Sequence, residues 1–310
     1  LSMEGGRIIS TEPFYAYIKI AEGCSNNCTY CAIPSIRGKY RSRRMEDIVK
    51  EARWLAENGV TELVVVAQDT TRYGEDIYGK SMLPELLTAL CEIDGFKWIR
   101  TLYCYPERIT DELLDVIAKE DKLVKYLDMP IQHCDKTILK RMNRHGDRET
   151  LTALIKKIRE KIPNVTLRTT LITGFPGETK EQFEELCEFV KEIRFERLGC
   201  FAYSPEEGTP AEKFEDQVPL KDRERRAEII MEEQMIISDS LNEAALDSEV
   251  EVVCEGFDRY AECYYGRSQA DAPEIDGKIF FLSEDKVRVG EYVKVKIDDT
   301  MDYDLIGSKM

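Results

Sequence analysis

No apolar run in this chain approaches the roughly 20 residues that a membrane-spanning helix requires. No basic stretch followed by an apolar core opens it, so nothing directs secretion, and a soluble cytoplasmic protein is expected. Positive charge is also in short supply: 44 Lys plus Arg stand against 60 Asp plus Glu, a net charge of −16. That balance argues against nonspecific nucleic-acid binding, whose affinity comes from cations neutralising phosphates, and favours basic partners. Low-complexity segments and clear internal repeats are missing too, which leaves an ordinary globular chain. Cysteine is not scarce, with ten in all. Without a secretory signal they read as thiols or metal ligands rather than as a disulfide framework.

What is present points to two domains. A chain of 310 residues with a 43% hydrophobic and a 34% charged fraction can bury one large core and one small one. Leu1 stands first with Met3 soon after it, so a processed or recombinant piece of a longer protein is expected. From Tyr15 to about Pro205, short β-rich runs alternate with amphipathic helical stretches, the pattern of βα units around a parallel sheet. The expected strands are Tyr15 to Ala21, Glu62 to Ala67, Trp98 to Tyr103, Tyr126 to Ile131, Thr166 to Ile172 and Arg197 to Tyr203. A helix over Met45 to Asn58 repeats Ile48, Ala52, Leu55 and Ala56 at i, i+4, i+7 and i+8 and stops at Gly59. Thr110 and Thr179 have the sequence context of helix N-caps. Six parallel strands form an open sheet or an incomplete barrel, and function then sits at their C-terminal ends.

A long charged helix, Asp222 to Leu246, leads out of this unit. After Asp247 the period changes to two, with Val250, Val252 and Cys254 alternating with Glu249, Glu251 and Glu255, and further strands at Lys278 to Leu282 and Tyr292 to Ile297. This predicts a small antiparallel barrel. The division expected is residues 1–240 and 241–310. From Asp247 onward, 16 acidic side chains face 8 basic ones, a net charge of −8.

The chemistry is carried by Cys24, Cys28 and Cys31, a C-x3-C-x2-C array directly after the first strand. Three thiolates on one loop can bind three irons of a cubane and leave the fourth open for substrate chemistry. A zinc knuckle would need a fourth ligand, and the nearest histidine, His133, is far along the chain. With Tyr30 in its aromatic position, the array resembles the radical S-adenosylmethionine (SAM) superfamily. The resemblance implies an α/β fold, a (β/α)6 partial TIM barrel, with a 4Fe-4S cluster and SAM as cofactors. In that family SAM binds the open iron, and an electron from the reduced cluster cleaves it to a 5'-deoxyadenosyl radical that abstracts hydrogen. By the same resemblance Gly174, Phe175, Gly177 and Glu178 line the adenosine, Tyr203 lies near the adenine, and Gln132 and Arg141 lie near the ribose and carboxylate. No catalytic acid, base or nucleophile is assigned.

Four segments narrow the resemblance to the methylthiotransferases, transferases that replace C–H by C–SCH3: residues 22–38 (EGCSNNCTYCAIPSIRG), 129–144 (MPIQHCDKTILKRMNR), 171–179 (LITGFPGET) and 266–277 (GRSQADAPEIDG). The last implies a TRAM domain that docks the substrate macromolecule. Gln68 and Asp69, in residues 68–74 (QDTTRYG), resemble the substrate-proximal segment of enzymes that modify an aspartate β-carbon in ribosomal protein S-twelve; the tRNA adenosine enzymes usually carry Asn at that position. An acidic barrel would attract a basic ribosomal protein, with Asp271, Glu274, Asp276, Asp298 and Asp299 as the expected docking charges, and would repel RNA. The run Arg37, Lys39, Arg41, Arg43 and Arg44 is the feature suited to touching RNA, and the tRNA reading stays open beside the favoured protein substrate. An iron-sulfur electron-transfer or sensing protein is the non-enzymatic alternative. The family implies a flavodoxin- or ferredoxin-type electron donor and a second 4Fe-4S cluster in a further N-terminal domain. Only residues 1–14 precede the first strand here, so a single cluster is expected in this chain. Of the remaining cysteines, Cys134 beside His133 is the one placed to join a site.

Overall fold

The computed structural model describes residues 7–310; Leu1 and Met3 lie outside the described residues. Six parallel strands follow one another in chain order: β1 (Tyr15–Lys19), β2 (Glu62–Val66), β3 (Trp98–Thr101), β4 (Tyr126–Asp128), β5 (Thr166–Thr173) and β6 (Arg197–Ala202). They pair as two halves, β1 with β2 with β3 and β4 with β5 with β6. The halves meet where Ile99 bridges Leu123 and the Cys104 amide donates to the Asp128 carbonyl at 2.8 Å. Among the described residues β1 and β6 do not pair, so the arc is the expected incomplete barrel.

Outside it pack helices α1 (Met45–Glu57), α2 (Leu83–Cys91), α3 (Asp111–Lys119), α4 (Lys136–Arg141), α5 (Arg148–Lys161) and α6 (Lys180–Ile193). Alternation along the strands sends Ile18, Leu63, Val65, Ile99, Leu127 and Leu167 outward, into one core with Ile48, Ala52 and Leu55 of α1. Thr110 accepts from the Leu113 amide at 3.2 Å, and Thr179 and Gln182 cap α6 reciprocally, as their spacing predicts. The long helix α7 (Leu220–Glu243) lies against β6, burying Ile230 and Ile237. None of the described helices is long and apolar enough to cross a membrane.

The C-terminal strands β7 (Glu249–Asp258), β8 (Cys263–Arg267), β9 (Ile279–Leu282), β10 (Tyr292–Met301) and β11 (Asp304–Lys309) close a barrel in the order β8-β9-β11-β10-β7. The expectation of a wholly antiparallel barrel is corrected at one seam, where β9 and β11 run parallel. Five strands are an odd number, so strict alternation of direction must fail once on closure. Val252, Ile279, Phe281, Val295 and Ile297 fill its interior.

Inside the large arc the strand faces are charged: Glu62, Arg100, Asp128, Arg168 and Arg197 all point inward, among Tyr15, Val64, Trp98 and Tyr126. The connection from β8 to β9 fills this space and supplies the counterions. Glu62, fully buried, meets Arg100 Nε at 3.1 Å and makes a close charge contact with Arg267 that is not an aligned hydrogen bond; Arg267 also reaches Glu255 at 2.7 Å. Arg100 donates to the Gln269 carbonyl at 2.8 Å, and Arg197 pairs with Asp271 at 2.6 Å. Arg168 lies 3.6 Å from Asp276, which accepts from the Tyr126 hydroxyl at 2.6 Å. Burial pushes the Asp276 carboxyl above the usual range. Two of the expected docking charges are thereby reassigned: Asp271 and Asp276 pair with cations of the arc and have nearly buried side chains, whereas Glu274, Asp298 and Asp299 are exposed.

Replacing Glu62 with Ala would leave Arg100 and Arg267 charged and unmatched in the interior. A loss of about 3–5 kcal/mol is expected from the shift in guanidinium unfolding midpoint. A loss below about 1 kcal/mol would show that water or other groups compensate both cations.

Candidate active site

The cysteine loop leaves β1 through a residue that has to be glycine. Gly23 has φ +79, and a Cβ there would sit 2.3 Å from the Lys39 carbonyl oxygen. From that point the loop is tied on three sides. The Cys24 amide donates to the Gly38 carbonyl at 3.1 Å, and Ser25 Oγ accepts from the Tyr40 amide at 3.1 Å. Asn26 Nδ2 donates to Asp69 at the end of β2 at 2.8 Å. Asn143, just past α4, donates to the carbonyls of Asn26 and Asn27, both at 3.0 Å, and Thr29 Oγ1 donates to the Arg141 carbonyl at 2.8 Å.

Held in this way, Cys24 and Cys28 are buried and Cys31 is half-buried. Burial pushes the thiols of Cys24 and Cys31 above their ordinary range, and the proximity of Cys28 adds to it for both. The Cys28 sulfur lies 3.4 Å from the Tyr105 hydroxyl. Among the described residues no group of three or more His, Cys, Asp or Glu gathers closely enough to hold one metal ion. Three soft ligands that feel one another's charge, without a fourth protein ligand, fit a polynuclear iron-sulfur cluster better than a zinc knuckle. Binding would displace the thiol protons.

A cavity of about 550 Å³ opens beside the loop at the C-terminal ends of β1, β2 and β3. Cys24 and Cys31 form one wall, Gln68, Tyr103 and Tyr105 another, and Ile275 of the small barrel reaches in from the connection that fills the arc. Gln68 Oε1 is buried there without a hydrogen-bond partner. Asp69 is placed differently from the sequence expectation. It is fully buried outside the cavity wall, and its carboxylate is spent on Asn26 and the Thr71 hydroxyl. It anchors the cysteine loop rather than facing a substrate.

Of the residues matched to the SAM site, Tyr30, Phe175 and Tyr203 come together. Phe175 meets Tyr203 edge-on at 5.2 Å and Tyr30 at 6.5 Å between ring centroids, and the Tyr203 hydroxyl is buried without a partner. Gln132 has a positive φ of 71° and Arg141 pairs with Asp216 at 2.6 Å across Phe214. The positive φ of Gly174 and Gly177 serves close approach to the chain's own residues: a Cβ on Gly174 would meet Arg223 Cγ at 2.2 Å, and one on Gly177 would meet Asp216 Oδ2 at 2.6 Å. Glu178 is buried and turned inward, accepting from the Gly174 amide at 3.0 Å and from Arg226 at 2.6 Å, with His133 Nε2 3.4 Å away. It pins the turn shut. Cys134 lies in the apolar core, where burial raises its thiol, and takes no part in the cavity.

Sequence reading missed Tyr103, Tyr105, Asn26 and Asn143. The rule that function sits at strand C-termini points to the two tyrosines, while the loop anchors carry no sequence signal of their own. Asp69→Ala removes the acceptor for Asn26 and Thr71. It should lower the iron retained per chain after anaerobic reconstitution and gel filtration, while Glu274→Ala leaves it at the parental level. Equal iron in all three proteins would contradict the anchoring role.

Comparison with known proteins agrees with this geometry. The profile of the radical SAM superfamily matches residues 18–190, and that of the TRAM domain matches residues 248–309. The ribosomal protein uS12 methylthiotransferase RimO of Clostridium tetani is 52% identical over 304 residues, 98% of this chain and 68% of the relative. The protein of that name from Clostridioides difficile is 53% identical over 301 residues, 97% of this chain and 68% of the relative. Among solved structures, the radical SAM enzyme coproporphyrinogen III oxidase (HemN) of Escherichia coli superposes with a TM-score of 0.52 at 21% identity, over 74% of this chain and 52% of the other, which shows the shared fold. Superfamily members use a 4Fe-4S cluster and SAM. The chain therefore belongs to the radical SAM superfamily and, within it, to the family of ribosomal protein uS12 methylthiotransferases.

Proposed function

We propose that this chain is a methylthiotransferase that adds a methylthio group to the β-carbon of an aspartate in ribosomal protein uS12. The observation that carries the substrate is the relationship: over half of the residues are identical, across almost the whole chain, to enzymes named for uS12. Cys24, Cys28 and Cys31 would hold a 4Fe-4S cluster. Bound there with SAM, the reduced cluster supplies one-electron chemistry able to open an unactivated C–H bond. The chain's own residues do the rest. Tyr30 offers aromatic surface to the adenosine, backed by the buried rings of Phe175 and Tyr203, with Gly174 and Gly177 shaping the turn beside it. Gln132 and Arg141 stand where polar groups of SAM would be met, Arg141 exchanging its contact with Asp216 for the ligand. Glu178 and Asp69 position the turn and the cysteine loop. Gln68 borders the substrate.

The work divides between residues 1–240 and residues 241–310, with the boundary in the last turn of α7. The small barrel docks the basic ribosomal protein through acids that remain exposed, Glu274, Asp298 and Asp299 among them. A flavodoxin- or ferredoxin-type protein serves as electron donor, and the ribosomal substrate puts the reaction in the cytoplasm.

The test is isotopic. Reconstituted, reduced protein supplied with SAM and with uS12 deuterated at aspartate β-carbons should yield 5'-deoxyadenosine carrying deuterium, and Cys24→Ala, Cys28→Ala or Cys31→Ala should yield none. Deuterium transfer from labelled tRNA adenosines, with none from uS12, would establish the tRNA reading instead. An iron-sulfur carrier would form no 5'-deoxyadenosine from either.

A further inference from the structure

Lys19 ends β1 on the same face as Tyr15 and Tyr17, and its half-exposed side chain lines the rim of the cavity beside the cysteine loop. Among the described residues it is the single cation on the wall of the 550 Å³ cavity, whose other walls are thiols, phenols, one carboxamide and aliphatic side chains. Its ammonium donates to Glu22 at 2.7 Å, and Arg37 Nε stands 3.9 Å from the same carboxylate. Two cations therefore share one anion at the mouth of the cavity, with the Glu274 carboxylate 3.5 Å from the Tyr17 hydroxyl farther along its wall. Because Arg37 is already beside Glu22, Lys19 can turn to a second anion without leaving that carboxylate unmatched. Gln68, just past the end of the adjacent strand, lines the same cavity, and its buried oxygen has no partner.

We propose that Lys19 is the substrate-positioning residue that receives the carboxylate of the target aspartate, with Gln68 bordering the same pocket. This rests on the reading of a uS12 aspartate as substrate and adds how it is recognised. The bond to be opened is on the carbon next to that carboxylate, so a fixed carboxylate fixes the reacting hydrogen as well. A carboxylate entering a cavity with aliphatic and aromatic walls loses hydration that only a cation or several donors can replace. A neutral adenine base would need no such cation, so the lysine also favours a carboxylate over a nucleobase.

The test is a double-mutant cycle on binding. Purified uS12 and a form with its target aspartate replaced by asparagine are titrated into the parental chain, Lys19→Gln and Lys19→Arg at low ionic strength. The parental chain should prefer the aspartate form by about tenfold. Lys19→Gln should lose that preference through weaker binding of the aspartate form alone, with its asparagine-form affinity unchanged as an internal control of folding, and Lys19→Arg should restore much of it. Equal parental affinity for the two forms, or an equal loss on both in Lys19→Gln, overturns the role of Lys19 and leaves the substrate reading in place. Failure of the parental chain to bind uS12 in either form overturns the substrate reading and this inference together.

Discussion

A carboxylate buried between two arginines sets the terms for the whole molecule. Glu62 lies inside the open arc with Arg100 from the neighbouring strand and Arg267 from the small barrel, all three shielded from water. Each would be costly alone, and the removal of any one strands the others. The rest of the inner face follows the same rule: Arg197 needs Asp271, and Arg168 and Tyr126 share Asp276. An incomplete barrel with a charged interior is thus completed by a segment from the following domain. The match of sign at each position fixes how the two barrels sit.

That constraint reaches the active site. Because residues 267–277 fill one part of the arc, the open space is the cavity beside the cysteine loop, and Ile275 forms part of its wall. The TRAM domain thereby contributes to the wall of the cavity beside the cysteine loop. At the other end the cysteine loop is organised by polar side chains in place of apolar packing, with Asp69, Ser25 and Asn143 each satisfying a backbone or amide group of the loop or its neighbours. Such a loop can present three thiols with little regular structure of its own, because its hydrogen bonds are supplied from outside.

The six strands and the helix caps were legible because each rests on local rules: alternation along a strand and the Thr–x–x–Gln spacing. What fills the arc was not legible. Alternation tells which residues share a face, but a buried charge such as Asp271 reads in sequence like any surface acid, and only its pairing with Arg197 across 74 positions distinguishes it. Asp69 illustrates the same limit. Its match to a family segment suggested contact with a substrate, while its neighbours Asn26 and Thr71 make it an anchor. The parallel seam between β9 and β11 is a property of closing five strands, invisible to any one of them.

Whether the two barrels share one interior is decided by scanning calorimetry of the intact chain. A single cooperative transition, with calorimetric and van't Hoff enthalpies equal, is the result expected if the ion pairs of Glu62, Asp271 and Asp276 join the domains into one folding unit. Two resolved transitions, the smaller with the enthalpy of a domain the size of residues 248–309, would contradict it.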